Sequence, residues 1–333
     1  MLKNKLILQS LVIIVCVLLV YAFPQVFNPT AKQDVPAVTA DGNLTLFIEP
    51  QAGSEPLLTV LNGAQSEILV EMYLLTDKGV LTALETAAKR GVTVKVMLEQ
   101  HPFEGGALNQ KTYTELAANN VSMQWTNQDF ALTHEKAIII DQKTLFVLNQ
   151  NVTTTSFKKN REYNIIDTSL EDVTQARAIF QADWDKNPVQ LSESHLVVSP
   201  YNSRESLESL IRSAVSSVDI EMEVLTDPGV LNLLETEGRN KQIRVLLADY
   251  SKIAANQKSA EELKQYGIQV KTLKNPYLHA KVIIADRKTA YTGSINFTAQ
   301  SMDKNRELGI LISQESIVTQ LQSSFESDWL LAQ

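Results

Sequence analysis

LTHEKAIIID, residues 132 to 141, and YLHAKVIIAD, residues 277 to 286, decide how this sequence is read. In each, a histidine and a lysine two positions apart lead into an apolar run that ends on an aspartate. Such a run reads as a buried strand, and side chains two apart on a strand share a face, so His134 pairs with Lys136 and His279 with Lys281. A single His-x-Lys at the start of a strand is ordinarily a solvated edge. A second copy 145 residues later makes that bland reading untenable.

Working outward, the repeat extends in both directions. Glu71-Met72 aligns with Glu221-Met222 and Leu75-Thr76-Asp77 with Leu225-Thr226-Asp227, at an offset of 150. Asn160-Arg161-Glu162 aligns with Asn305-Arg306-Glu307 at an offset of 145, so the second half is about five residues shorter between these blocks. Solenoid repeats are several times shorter, so the pattern reads as a duplicated domain, with halves at residues 44–190 and 191–333.

Within the first half, strands are expected at Leu44 to Glu49, Ile68 to Leu74, Val92 to Leu98, Ala137 to Asp141 and Tyr163 to Asp167. Helices are expected at Pro56 to Asn62, Gly79 to Arg90, Lys111 to Asn119 and Leu170 to Lys186, and the second half repeats the order. Unbroken apolar runs such as Val245 to Ala248 and Val282 to Ala285 imply sheets covered on both faces. The expected fold class is α/β, two tandem α-β-α sandwiches.

Length and composition agree with two folded domains: 333 residues, 44% hydrophobic and 20% charged. The single cysteine, Cys16, excludes disulfides, thiol catalysis and cysteine-ligated zinc in the folded part. Leu6 to Phe23 is an apolar run behind Lys3 and Lys5, read as a signal-anchor helix or a signal peptide over residues 1–23, followed by a flexible linker over 24–43. Beyond residue 23 there remain 28 basic and 38 acidic residues, a net −10, so a broad basic footprint for nucleic acid is absent. The positive charge before the apolar run places the remainder outside the cytoplasm, anchored or secreted. Asn151-Val152-Thr153 and Asn296-Phe297-Thr298 are glycosylation sequons inside the motif region, which favours export from a bacterial-type cell.

The chemistry-bearing residues recur in register. Ser294 and Asn296 stand 15 and 17 residues after His279, and Asn149 and Asn151 occupy the same places after His134. Glu162 and Glu307 each follow their histidine by 28 residues, and Asp141 and Asp286 by seven. The spacing resembles the phospholipase D superfamily, whose signature is His-x-Lys-x4-Asp followed by Gly-Ser-x-Asn. That resemblance implies two halves packed about a pseudo-two-fold axis, both histidines in one cleft, and no metal or cofactor. It also implies that His134 and His279 are nucleophile and acid, and that Lys136, Lys281, Asn151 and Asn296 hold phosphate. Asn149 and Ser294 fall at the Gly-Ser position and join the phosphate-binding set; Glu162 and Glu307 orient the rings. Leu148-Asn149 in place of Gly-Ser makes the two halves inequivalent.

The residue types support the same chemistry. A phosphodiester anion must be neutralised by fixed donors before in-line attack, which two ammonium and two amide groups do. One neutral imidazole attacks to give a phosphohistidine while a protonated one serves the leaving alkoxide, so hydrolysis and alcohol exchange are both open. Asp141 and Asp286, about 23 Å along the strand, read as structural. His101 and His195 have no repeat partner and read as ordinary loop residues. Lys158, Lys159 and Arg161 read as a solvated loop or a phosphate-steering rim, and residues 101 to 110 as a surface loop or lid. The leading expectation is a phosphodiesterase acting on phospholipid at a membrane. The alternatives are an exported nuclease for DNA or RNA, and a silent phosphate-binding scaffold; oligomeric state is left open.

Overall fold

A computed structural model of the chain describes residues 38–103 and 106–333. The expected N-terminal anchor, Leu6 to Phe23, lies outside the described residues, and among those no helix is long and apolar enough to cross a membrane. The expectation of a membrane-anchored or exported catalytic region is corrected on that finding. The expected linker is shorter than 24–43, because Val38–Asp41 forms a strand, β1, paired antiparallel with β2, Leu44–Glu49.

Both halves build the same sheet. In the first, α1 (Glu55–Gly63) leads to β3 (Glu67–Met72), α2 (Lys78–Lys89), β4 (Thr93–Leu98), α3 (Gly106–Ala117) and β5 (Ser122–Trp125). There follow β6 (Lys136–Ile140), β7 (Thr144–Val147), α4 (Thr154–Lys159), β8 (Asn160–Asp167) and α5 (Leu170–Asp185). The second half runs β9 (Leu196–Ser199), α6 (Ser203–Ser213), β10 (Ser217–Met222), α7 (Pro228–Glu237), β11 (Gln242–Ala248), α8 (Ala255–Gln265) and β12 (Gln269–Leu273). It closes with β13 (Tyr277–Leu278), β14 (Lys281–Ala285), β15 (Thr289–Gly293), α9 (Ala299–Asp303), β16 (Glu307–Ile312) and α10 (Glu315–Leu331). The sheet orders β2-β8-β7-β6-β3-β4-β5 and β9-β16-β15-β14-β10-β11-β12 coincide strand for strand, which is the duplication in three dimensions.

Local chemistry explains the repeated words. The aspartate of each Leu-Thr-Asp caps a helix: Asp77 accepts from the N–H of Gly79 and Val80, and Asp227 from that of Val230. Every residue of β6 and of β14 is buried, as the unbroken apolar runs require of a strand covered on both faces. The aspartate after each run turns the chain. Asp141 and Gln142 take φ of 53° and 56°, Asp286 and Arg287 φ of 52° and 58°, and Lys143 and Lys288 donate N–H back to Ile140 and Ala285. The first of these turns carries no Asn-Gly or Asp-Gly, so the hairpin strand β7 escaped sequence reading.

Three apolar clusters hold the molecule. One lies inside each half, around Val70 and Leu84 in the first and Ile220 and Leu234 in the second. The third joins the halves: Leu69, Ile139 and Val147 pack with Leu246, Val282 and Ile310 and with α5 and α10 through Phe180 and Phe325. Because this core is shared, both halves belong to one compact unit.

Candidate active site

The two His-x-Lys segments dock by backbone onto the opposite half. Tyr277 and Leu278, just before His279, pair in parallel with Asn160 and Arg161, and Thr133, just before His134, bridges to Arg306. The N–H of His134 donates to the Arg306 carbonyl (2.8 Å) and that of His279 to the Arg161 carbonyl (3.3 Å). Each Asn-Arg-Glu block therefore serves the other half's histidine. Nδ1 of His134 lies 2.9 Å from Oε2 of Glu307, and Nδ1 of His279 lies 2.8 Å from Oε2 of Glu162.

The rest of each block makes that contact rigid. Asn305 and Asn160 donate amide N–H to the second oxygen of Glu307 and Glu162, at 3.1 and 2.9 Å. Arg306, fully buried, pairs with Asp183 of α5, and Arg161 forks onto Asp328 of α10 at 2.6 and 3.0 Å. Arg161 is thus an interior anchor and not part of a solvated loop or phosphate rim, whereas Lys158 and Lys159 are exposed. The recurrence of Asn-Arg-Glu was legible in the sequence; the parts played by its asparagines and arginines were not.

The lysines stand beneath the rings, wholly buried, each donating to the carbonyl of its own histidine (Lys136 to His134 at 2.5 Å, Lys281 to His279 at 2.6 Å). Burial pushes the Lys136 ammonium down to about 7, against the pull of Glu307. Burial, then the Lys136 charge, pushes His134 down to about 4, with Glu307 opposing and Lys281 of the other half adding to the depression. Burial raises Glu307, but the His134 ring and Lys136 outweigh it and hold the carboxyl below its usual range. Charges from both halves act on the same groups, so the two motifs share one site. An ionised Glu307 only accepts, which fixes the His134 proton on Nδ1 and leaves a lone pair on Nε2.

The four Gly-Ser and Asn positions divide. Asn149 donates its amide to the Gly293 carbonyl across the halves, and the Ser294 hydroxyl sits between the carbonyl and N–H of Leu308. Both side chains are thus engaged by backbone groups of the fold. Asn296 accepts from the Val224 N–H through Oδ1, and Asn151 holds the corresponding position in the first copy. Asp141 accepts three backbone N–H groups, from Gln65, Ser66 and Glu67, and Asp286 does the same for Val215, Ser216 and Ser217. They pin the far end of the strand.

His195 pairs with Asp172 away from the site, and His101 donates its N–H to Glu99. Residues 106 to 110 are the first turn of α3 rather than a lid, and buried Asn109 ties that helix to the carbonyls of Tyr73 and Glu99. Sequence reading missed Tyr73, whose ring meets the His134 ring edge-on at 4.6 Å, and Glu223, whose carboxylate lies 2.9 Å from Lys281 Nζ. It also missed a buried acid group behind His134, where carboxylate oxygens of Glu71, Glu135 and Asp183 lie within 4.8 Å of one another. These are close enough to ligate a cation, but burial raises all three carboxyls, Glu135 to about 8, and Arg306 pairs with Asp183.

Two matched halves, each giving His, Lys and Glu to one site, are what a duplicated phosphodiester-cleaving fold presents, and the sequence comparison is specific. The family model described as "Cardiolipin synthase, PLD-like domain" matches residues 57–184 and again 207–329. The chain belongs to the phospholipase D superfamily. Among this superfamily's members, cardiolipin synthase 1 of Staphylococcus epidermidis is 22% identical over 89% of this chain and 69% of its own. The probable cardiolipin synthase YwiE of Bacillus subtilis is 22% identical over 87% of this chain and 67% of its own. The phosphatidylserine synthase structure from Haemophilus influenzae shares the phospholipase D fold with a TM-score of 0.68, at 12% identity over 89% of this chain and 88% of that one. The polyphosphate kinase structure from Porphyromonas gingivalis also superposes with a TM-score of 0.68, at 16% identity, over 85% of this chain and half of that longer chain.

Proposed function

We propose that this protein is a phospholipase D-type enzyme that transfers the phosphatidyl group of a phospholipid, through a phosphohistidine, to an alcohol or to water. One observation carries the reading: each of the two motif imidazoles is paired through Nδ1 with a buried carboxylate of the opposite half. The cardiolipin synthase and phosphatidylserine synthase relatives support a lipid substrate and headgroup transfer.

The chemistry follows from the geometry. Lys136 and Lys281, with the amides of Asn151 and Asn296, neutralise the phosphodiester anion. Nε2 of His134 attacks phosphorus; the P–O bond to the leaving alcohol breaks, its electron pair stays on oxygen, and His279 Nε2 gives that oxygen a proton. In the second step the acceptor hydroxyl gives its proton to His279 as its oxygen attacks phosphorus, and the P–N electron pair returns to His134. The depressed His134, neutral at pH 7, supports it as the attacking ring.

The test presents purified protein with phospholipid vesicles containing glycerol as acceptor, and in parallel with single-stranded DNA. Released or exchanged headgroup is expected. Shortened DNA with untouched lipid would overturn the reading.

A further inference from the structure

The duplicated backbone carries one conspicuous inequality. Tyr73 and Glu223 occupy matched places directly after β3 and β10, and their N–H groups donate to matched carbonyls, Tyr73 to Glu135 and Glu223 to Ala280. Matched asparagines hold the following segments too, Asn109 through the Tyr73 carbonyl and Asn256 through the Glu223 carbonyl at 2.7 Å. The backbone being equivalent, the difference is wholly in the side chain. In the first half an uncharged ring lies edge-on to His134 and beneath the Lys136 ammonium, 5.1 Å from the ring centre. In the second half a carboxylate stands 3.5 Å from Nε2 of His279 and 2.9 Å from Lys281 Nζ, and accepts the Tyr277 hydroxyl at 3.0 Å.

The consequence is a difference in protonation that the two-fold repeat would not otherwise give. Among the described residues, His134 has a carboxylate within ion-pair distance only at Nδ1, and Lys136 and Lys281 face it as cations. His279 has a carboxylate at both nitrogens, Glu162 at Nδ1 and Glu223 at Nε2, with Lys281 beside the ring. Ionised carboxylates only accept, so the ring that satisfies both is the one with protons on both nitrogens. Glu223 is suited to this because, although burial raises its carboxyl, the adjoining His279 and Lys281 outweigh burial and hold it well below the usual range.

We propose that Glu223 is a positioning residue that keeps a proton on Nε2 of His279, making the second half's histidine the donor to the leaving alkoxide and leaving attack to His134. The proposal rests on the two-histidine reading above. It adds the residue that breaks its symmetry. In the first step the proton leaves His279 Nε2 for the alkoxide oxygen as the P–O bond breaks; in the second it returns from the acceptor hydroxyl, and Glu223 is unchanged throughout. An alkoxide leaving group needs that proton, whereas p-nitrophenolate departs without it.

The test compares Glu223→Gln, Glu223→Asp and unmodified full-length protein on phosphatidylglycerol and on phosphatidyl-p-nitrophenol, over a range of pH. Glu223→Gln is expected to lose about tenfold or more in kcat on the alkyl substrate and only about twofold on the nitrophenyl one, since general acid catalysis contributes roughly 10²–10⁴-fold. Glu223→Asp is expected to recover most of the loss. Equal losses on both substrates, or no recovery in Glu223→Asp, would overturn the proposal. Acid-labile and base-stable phosphohistidine is trapped in parallel from the unmodified protein: if none forms, the two-histidine reading fails and this proposal with it. If it forms while leaving-group selectivity is absent, only the role of Glu223 falls.

Discussion

Oε2 of Glu307 lies 2.9 Å from Nδ1 of His134, although the two residues are 173 positions apart and belong to different halves of the duplication. The same exchange links Glu162 to His279. Neither half is then a complete catalyst, because each depends on the other for the carboxylate that fixes its ring tautomer. Glu307→Gln is expected to lower kcat by about 10²-fold, within the range that proton-transfer groups contribute, while KM moves little, since the lysines and amides that face phosphate are untouched. Steady-state kinetics on vesicles measure it; a change confined to KM would contradict the orienting role.

His134→Ala and His279→Ala are each expected to remove turnover by about 10³-fold or more, because attack and protonation are separate steps of one reaction. Circular dichroism should show the fold retained. Mixing the two variants restores nothing if both rings must act on one phosphorus, and recovery of ordinary activity in either variant would reject the shared site.

Activity should depend on pH in a way set by two depressed groups. With Lys136 at about 7, the rate on phospholipid is expected to decline as pH rises beyond 7 and one fixed cation is lost. For stability, His134 is lowered from 6.5 to about 4 in the fold, so the unfolded chain binds the proton first as pH drops. The stability due to a neutral His134 is present above about 6.5 and is lost as pH falls through 4. Because Glu135, raised to about 8, contributes stability that is lost as pH rises over the same range, the sign is checked by comparing the change in denaturant midpoint between pH 7 and 4.5 in the unmodified protein with that in His134→Gln; an equal change in both would contradict it.

Asp141 illustrates a motif residue with no part in the chemistry. Its carboxylate accepts three backbone N–H groups and the Ser66 hydroxyl, which hold it down to about 2 despite the opposing effect of burial. Asp141→Ala is expected to cost about 1–2 kcal/mol of stability, the price of leaving such donors without an acceptor, with kcat unchanged in the folded fraction. In the unmodified protein this contribution is present above pH 3.8 and is lost as pH falls through 2.

If two ammonium groups and two amides neutralise the phosphodiester as proposed, turnover is expected to survive EDTA. A complete loss that zinc or magnesium restores would point instead to the buried Glu71, Glu135 and Asp183 group as a working cation site.

The linear order of residues by itself determined the duplication, the α/β class and the identity of the histidines, lysines and glutamates, because a repeat in register states which side chains recur together. It also determined the strand character of Ala137 to Ile140 and Val282 to Ala285, since burial on both faces leaves an unbroken apolar run. It did not determine that Glu162 serves His279 and Glu307 serves His134, because pairing across halves depends on β13 and Thr133 docking onto the opposite block. Nor did it separate Asn149 and Ser294, which close onto backbone carbonyls of Gly293 and Leu308, from Asn296, whose amide oxygen accepts the Val224 N–H. Only the tertiary structure made Arg161 an interior anchor and set Glu223 against Nε2 of His279. Hydrogen bonds and ion pairs act over about 3 Å, and a distance of that size between residues more than a hundred positions apart is a property of how the sheets pack, not of spacing along the chain.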